Sequence, residues 1–157
     1  YDLVKDIMQE VGNQMHFWQV AMRPGKPLAF GSLAGVPLFG LPGNPVSSMV
    51  SFEQFVRPSL LKMMGHKRLL RKMIKATLEE DIAKKEGMRY FFRAQVRREG
   101  GRYLVSMTGE QGSGILKSMV LANGLVVLPE DAAGAEKGAE VTVQLLDGSL
   151  DQMDFRG

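Results

Sequence analysis

The order of apolar and polar positions changes character near residue 65. In YDLVKDIMQEVG, residues 1–12, Leu3, Ile7 and Val11 recur on one face of a helix, and Gly12 follows as a C-terminal stop. HFWQVAM, PLAFGSL and VPLFGLP then read as short strands separated by RPGK and AG turns. The third is apolar enough to predict burial on both faces. NPVSSMVSFEQFVRPSLLKMMG returns to helical spacing, with Val46, Met49, Val50, Glu53 and Val56 in phase, and Pro58 is expected to bend or end that helix.

Beyond Gly65 a charged connector, HKRLLRK, leads into MIKATLEEDI, YFFRAQVRRE, RYLVSMT, GLVVLP and AEVTVQLL. These are strand-like and are separated by glycine-rich turns such as EGGR. One short helix interrupts them. SGILKSMVLANG puts Ile115, Leu116, Met119 and Val120 on one face, with Ser113 placed to cap it and Gly124 to end it. The pattern predicts an α/β piece over residues 1–64, a linker over 65–71, a small β-barrel domain over 72–147 and a tail over 148–157. The fold class is therefore α/β plus β, and no internal repeat or low-complexity tract is visible.

Composition narrows the chemistry. The 157 residues are 45% hydrophobic, enough for packed cores. There is no cysteine, which excludes a disulfide framework, a thiolate metal site and a cysteine nucleophile, and points to a reducing compartment, the cytoplasm. The two histidines, His16 and His66, are far apart in sequence. No apolar run approaches the ~20 residues that cross a bilayer, and the start has no signal-peptide core. The first residue is Tyr, so a fragment of a longer protein is expected. Twelve Lys and Arg stand against four acids from Lys62 to Arg98, whereas acids outnumber bases seven to two from Pro129 onward. A basic face implies an anionic partner.

Two stretches suit anion handling. In LPGNPVS, Asn44 suits an N-cap, Pro45 suits the first helical position, and Gly43 allows a sharp turn. Such a turn leaves the Val46 and Ser47 amides facing the crevice beyond a strand's carboxyl end, where helix dipoles favour anions. The alternative is simply a well-capped helix. In MRPGKPLAF, Arg23 and Lys26 flank a proline-stiffened turn, so both cations can converge on one oxyanion, or the turn is a basic exposed loop. In the β domain, the period of two places Tyr90, Phe92, Ala94 and Val96 on one face and Arg93 on the other with Phe91, Gln95 and Arg97. Arg93 is then a surface charge or an anion ligand exposed in a cleft. Ser113, in GEQGSG, caps a helix or lets the backbone approach a ligand closely.

In order along residues 1–147, YDLVKD, VAMRPGKPLAFG, GLPGNPVSSMVSFEQFVRPSL, FFRAQV, GEQGSGILKSMVLANGLVVLP and EKGAEVTVQLL resemble the C-terminal part of the molybdopterin molybdenumtransferase family, the MoeA and gephyrin E-domain family. The ordered PGKP and LPGNPVS motifs, followed by the QGSG and ANG signatures, are its most specific elements. The resemblance implies half of a Mog-like, doubly wound pterin-binding domain followed by the family's C-terminal barrel. It implies a transferase of molybdenum cofactor biosynthesis that inserts molybdate into adenylylated molybdopterin and releases AMP, with Mg²⁺ assisting. It also implies a homodimer of the full-length protein and the pathway's adenylyltransferase as a partner, with no nucleic acid and no membrane involved.

By the same resemblance, Asp2 falls where the family carries an acidic active-site residue near the metal. Arg23 stands where Lys is usual, keeping charge but replacing a point charge with a planar fork. Lys26 and Pro27 match the PGKP turn that faces the oxyanion. Gly43, Asn44 and Ser47 match the turn that holds phosphate or molybdate, and Arg93 and Ser113 match barrel residues that reach the same pocket. Gln19 departs from members with Lys there. The family's SGGVSVG segment would precede Tyr1, so this chain is expected to be inactive alone. A gephyrin-like scaffold, dimerising and binding partner peptides, is the other reading. Nucleic-acid binding rests only on the basic middle segment, whose aromatics are more simply barrel core.

Overall fold

A computed structural model describes residues 6–147 except 8, 13, 113 and 114, in two compact units, residues 1–70 and 71–157.

In the first unit, residues 6, 7, 9 and 10 are helical, Val11 donates to the Ile7 carbonyl (3.0 Å), and Gly12 stops the helix at φ +77°. Strands β1 (Gln14–Phe17), β3 (Ala29–Leu33) and β4 (Val36–Gly40) form an antiparallel sheet in the order β1-β3-β4; the two-residue β2 (Met22–Arg23) lies between β1 and β3 in sequence. The β1–β3 register shifts between Met15 and Phe17, so His16 is the extra residue of a bulge. Two rings thereby face one: His16 and Phe17 lie 5.3 and 5.5 Å from Phe30, which lies 4.8 Å from Phe39. The expectation of a doubly buried third strand is corrected. Val36 and Pro37 are exposed and only Gly40 is buried, because β4 pairs with β3 alone and Pro37 has no amide to offer a further strand.

The segment that follows is one continuous helical run with a widened turn inside it: α1 (Pro45–Ser51), a π turn (Phe52–Val56) and α2 (Arg57–Met63). Pro58 explains the widening. Proline lacks an amide and its ring crowds the carbonyl four residues back, so the ladder steps out by one residue and Arg57 donates to the Phe52 carbonyl. The helix is neither ended nor left unsatisfied by Pro58. Phe55, in the π turn, reaches Phe17 at 6.4 Å and ties the helix to the sheet.

In the second unit, β5 (Met73–Leu78), β7 (Arg89–Glu99), β8 (Arg102–Met107), β9 (Gly124–Leu128) and β11 (Glu140–Leu145) close into a barrel in the order β7-β8-β5-β11-β9, with β9 returning to β7. Only β5 and β8 run parallel. The short β6 (Ile82–Ala83) and β10 (Gly134–Ala135) pair separately. Alternation along β7 sends Phe92, Ala94 and Val96 inward to a core shared with Leu78, Val105, Val126, Val141 and Val143, with Tyr90 packed at its edge. Each such apolar side chain contributes about 1.5–3 kcal/mol on burial.

The helix of this unit, α3 (Leu116–Val120), differs from its expected form. Only Ser118 and Met119 are buried, Leu116 and Val120 are exposed, and the residue before it, Ile115, makes no side-chain cap. Ser113 lies outside the described residues. Gly124 does not end the helix but opens β9, and a Cβ on it would stand 2.8 Å from Val143 Cγ1 and 3.0 Å from Val96 Cγ2. The barrel closes over that glycine because no larger residue fits.

Candidate functional site

The first unit brings the two anion-handling stretches together. In the turn Met22–Pro27, the Arg23–Pro24 bond is cis, Pro24 and Gly25 are buried, and the Arg23 and Lys26 side chains are exposed. The Lys26 carbonyl accepts from the Val20 and Leu28 amides at 3.0 and 3.1 Å, which fixes the turn's exit. Gly25, at φ +110°, sits on α1: a Cβ there would be 2.6 Å from Ser51 Oγ and 3.6 Å from the Ser47 carbonyl oxygen. Only glycine permits this seat, for both its φ and the space. The Lys26 side chain has no partner among the described residues. The turn that carries Arg23 and Lys26 thus lies against α1 through Gly25.

The helix terminus itself is less available than its sequence implies. Asn44 is the N-cap at φ −72°, ψ 125°, and its Oδ1 accepts from the Val46 and Ser47 amides at 3.1 and 3.3 Å. The expectation that those amides face the crevice is corrected: the cap consumes both. Ser47 is buried and Pro27 half-buried. Gly43 has no atom within 4 Å of a would-be Cβ, so its surroundings are open.

The second unit handles its candidate cation in the opposite way. Arg93 is only 1% exposed, which corrects the expectation of a side chain standing in a cleft. Its Nε donates to Ser118 Oγ at 3.0 Å, and its Nη2 donates to the carbonyls of Gly112 (3.0 Å) and Glu110 (3.3 Å). These acceptors are neutral, and burial pushes its pKa down from the usual guanidinium value. The alternation argument placed Arg93 off the barrel core, which is right, but the segment after β8 folds back over that face and covers it.

Arg97, four residues on, is exposed and paired with both oxygens of Glu79, with Glu99 also at 3.4 Å. The Arg97 hydrogen bonds hold the Glu79 carboxyl below its ordinary pKa and raise that of Arg97. Among the described residues no three His, Asp or Glu side chains lie together, so these residues do not build a Mg²⁺ cage. Asp2, the one acid the resemblance assigns to a metal, lies outside them, as does Ser113.

Sequence reasoning passed over Ser51, Thr108, Gln111, Ser118 and Asn123. Ser118 is a polar residue at a buried position of an apolar helix, and Gln111 and Asn123 are lone amides beside glycines at strand ends. Such residues signal hydrogen bonds that close a turn onto backbone.

Comparison with known proteins agrees with this division. Residues 75–146 match the family described as MoeA C-terminal region (domain IV), and residues 1–62 match the one described as "Probable molybdopterin binding domain". A Haemophilus influenzae protein named molybdopterin molybdenumtransferase is 33% identical over 148 residues, 91% of this chain and 36% of its own length. Molybdopterin molybdenumtransferase 2 of Mycobacterium tuberculosis is 36% identical with the same coverage. Among solved structures, the molybdopterin biosynthesis MoeA protein from Pyrococcus horikosii superposes with a TM-score of 0.75 at 31% identity, covering 94% of this chain and 35% of that one. The chain spans about a third of the length of the curated relatives it matches.

Proposed function

Since the chain belongs to the MoeA family, as its C-terminal part, we propose that the longer protein carrying it works in molybdenum cofactor biosynthesis, inserting molybdate into adenylylated molybdopterin with release of AMP. The observation that supports this reading is the seating of Gly25 on α1, which lays the turn that bears Arg23 and Lys26 against Ser47 of the LPGNPVS stretch. Molybdate is a dianion and the adenylylated pterin carries phosphates. Fixed cations on a stiff turn lower the energy of charge that shifts between them, without supplying a nucleophile. Pro27, Gly43, Asn44 and Ser47 shape the wall beside these cations, and the open space at Gly43 admits an oxyanion. Asp2 and Ser113 are assigned to the same site by resemblance alone. The described acids offer no Mg²⁺ cage. The same reading carries a homodimeric, cytoplasmic full-length protein that receives its substrate from the pathway's adenylyltransferase.

The test is AMP release from adenylylated molybdopterin and molybdate. The longer protein should turn over and the 157-residue chain should not, because charge stabilisation of this kind needs the whole wall preorganised. Arg23→Ala and Lys26→Ala in the longer protein should each lower kcat/KM by about 10- to 150-fold, the worth of one charge-assisted hydrogen bond. Wild-type rates from both variants would show that these are solvated surface charges.

A further inference from the structure

Beneath the turn that carries Arg23 and Lys26, a buried hydroxyl stands where stability alone would not put one. Among the described residues, Ser51 Oγ is the one buried side-chain polar atom without a hydrogen-bond partner, and Ser51 is 0% exposed. It lies on the buried face of α1 with Val46, Ser47 and Val50, where an alanine would leave nothing unbonded. A buried hydroxyl without a partner destabilises a fold, so its presence calls for a reason other than stability. A helical serine can escape the penalty by donating to the carbonyl four residues back. Ser59, in the same helical run, does this to Phe55 at 2.7 Å. Ser51 makes no such bond to the Ser47 carbonyl, and its oxygen lies against Gly25 instead.

A Cβ on Gly25 would stand 2.6 Å from Ser51 Oγ and 2.8 Å from Met22 Cε. The hydrogen that glycine carries in that direction therefore meets the Ser51 oxygen, as a weak Cα–H···O contact. We propose that Ser51 is a positioning residue, its hydroxyl oxygen being the stop that sets how far the Pro24–Gly25 turn stands from α1. Gly25 is two residues from Arg23 and one from Lys26, so a shift at Gly25 is carried to both cations. Without the Oγ, a gap one atom deep opens under the turn, and the turn can settle or rock. That the cations meet substrate rests on the proposed function; the stop beneath them does not.

Hydrogen exchange in the longer protein reads the stop without any activity. The Val20 and Leu28 amides donate to the Lys26 carbonyl, and the Met22 amide to that of Val20, and these bonds close the turn. Ser51→Ala should speed exchange of the three amides by about 10-fold, as local opening becomes easier, while the capped Val46 and Ser47 amides and the barrel keep their rates. Its melting temperature should not fall, because the lost group made no hydrogen bond. Yet kcat/KM for molybdate should drop about 10-fold, since a displaced turn misplaces both cations. A merely structural residue would lower stability and activity together. A cycle with Gly25→Ala isolates the contact: that substitution should lower kcat/KM about 10-fold less in the Ser51→Ala background than in wild type, because the positive φ burdens both backgrounds and only the clash with Oγ is relieved. Should Gly25→Ala fail to fold, exchange and melting of Ser51→Ala still decide. Ser59→Ala, whose hydroxyl bonds its own helix, should match wild type throughout. The stop is overturned if Ser51→Ala leaves turn exchange or kcat/KM at wild-type values, or if exchange rises across the whole first unit with a lower melting temperature, as ordinary packing would give. A wild-type longer protein that releases no AMP would remove the proposed activity and leave the exchange result to decide the stop.

Discussion

In the first unit the Pro24–Gly25 turn is held from beneath, by a glycine pressed against α1, and its cations stand outside in water. In the second, the segment after β8 is held from within, by a buried cation whose acceptors are all neutral protein groups. Arg23 carries its charge on an exposed side chain, whereas Arg93 spends its Nε and Nη2 donors on neutral protein groups, and losing them would leave part-buried acceptors unpaired, at about 1–3 kcal/mol each. Residue type and a nearby glycine are common to both places. What separates their chemistry is which side of the turn the backbone covers.

The units differ in the same sense in how they treat apolar surface. The barrel buries one contiguous cluster, including Phe92, Val105, Val126 and Val143. The first unit holds eleven of the fifteen exposed large hydrophobics among the described residues, Trp18, Val36, Met49 and Phe52 among them. The largest expected effect follows from this contrast. Residues 72–147 expressed alone should unfold cooperatively with a stability of about 4–11 kcal/mol, from 0.05–0.15 kcal/mol per residue, while residues 1–64 alone should not, and should associate through exposed apolar surface. Limited proteolysis and urea unfolding measure it; a surviving 1–64 fragment beside a degraded barrel would reverse the comparison.

Legibility followed the reach of the interactions. The barrel strands announced themselves because one face of each is buried and alternation is a local signal, as in Tyr90, Phe92, Ala94 and Val96. The N-cap at Asn44 was equally local, and so was its consequence, the use of the two amides that an anion site needed. Arg93 was not legible as buried, since its acceptors Glu110, Gly112 and Ser118 lie beyond β8, far from it in sequence. Pro58 signalled a break, but not the π turn that absorbs it, in which Phe55 lies 6.4 Å from Phe17 across the unit. QGSG and ANG were visible as signatures, yet their amides act on β7, and no spacing in the chain reveals which backbone they complete.

A smaller effect separates the two arginines by stability alone. Arg93→Ala removes three side-chain hydrogen bonds and leaves a buried void, so it should destabilise the second unit by about 2–5 kcal/mol, the range for truncating a large buried side chain and breaking its network. Arg23→Ala, at an exposed position, should stay within about 0.5 kcal/mol. Chemical denaturation of both variants decides; equal values would show that the covered and uncovered turns are energetically alike.

The smallest effect concerns the exposed pair on the outer face of the barrel, where charge is satisfied in water and neither turn is involved. Arg97 holds the Glu79 carboxyl below its ordinary pKa, chiefly through its hydrogen bonds. A carboxyl depressed in the folded state binds fewer protons there than in the unfolded chain near its titration range. Its contribution is therefore fully present above the unfolded value, ~4.3 for Glu, and is lost as pH falls through the lower folded value. Stability of the wild-type second unit should decline across that acidic window, and Arg97→Ala should decline less steeply. Because both partners are exposed, salt screens the pair, and the difference between the two pH profiles should shrink as ionic strength rises. Denaturation midpoints between pH 7 and pH 3, at low and high salt, measure this. Parallel profiles at low salt would mean that Glu79 and Arg97 are adjacent without being coupled, and would leave buried Arg93 as the residue on this strand face whose charge the fold depends on.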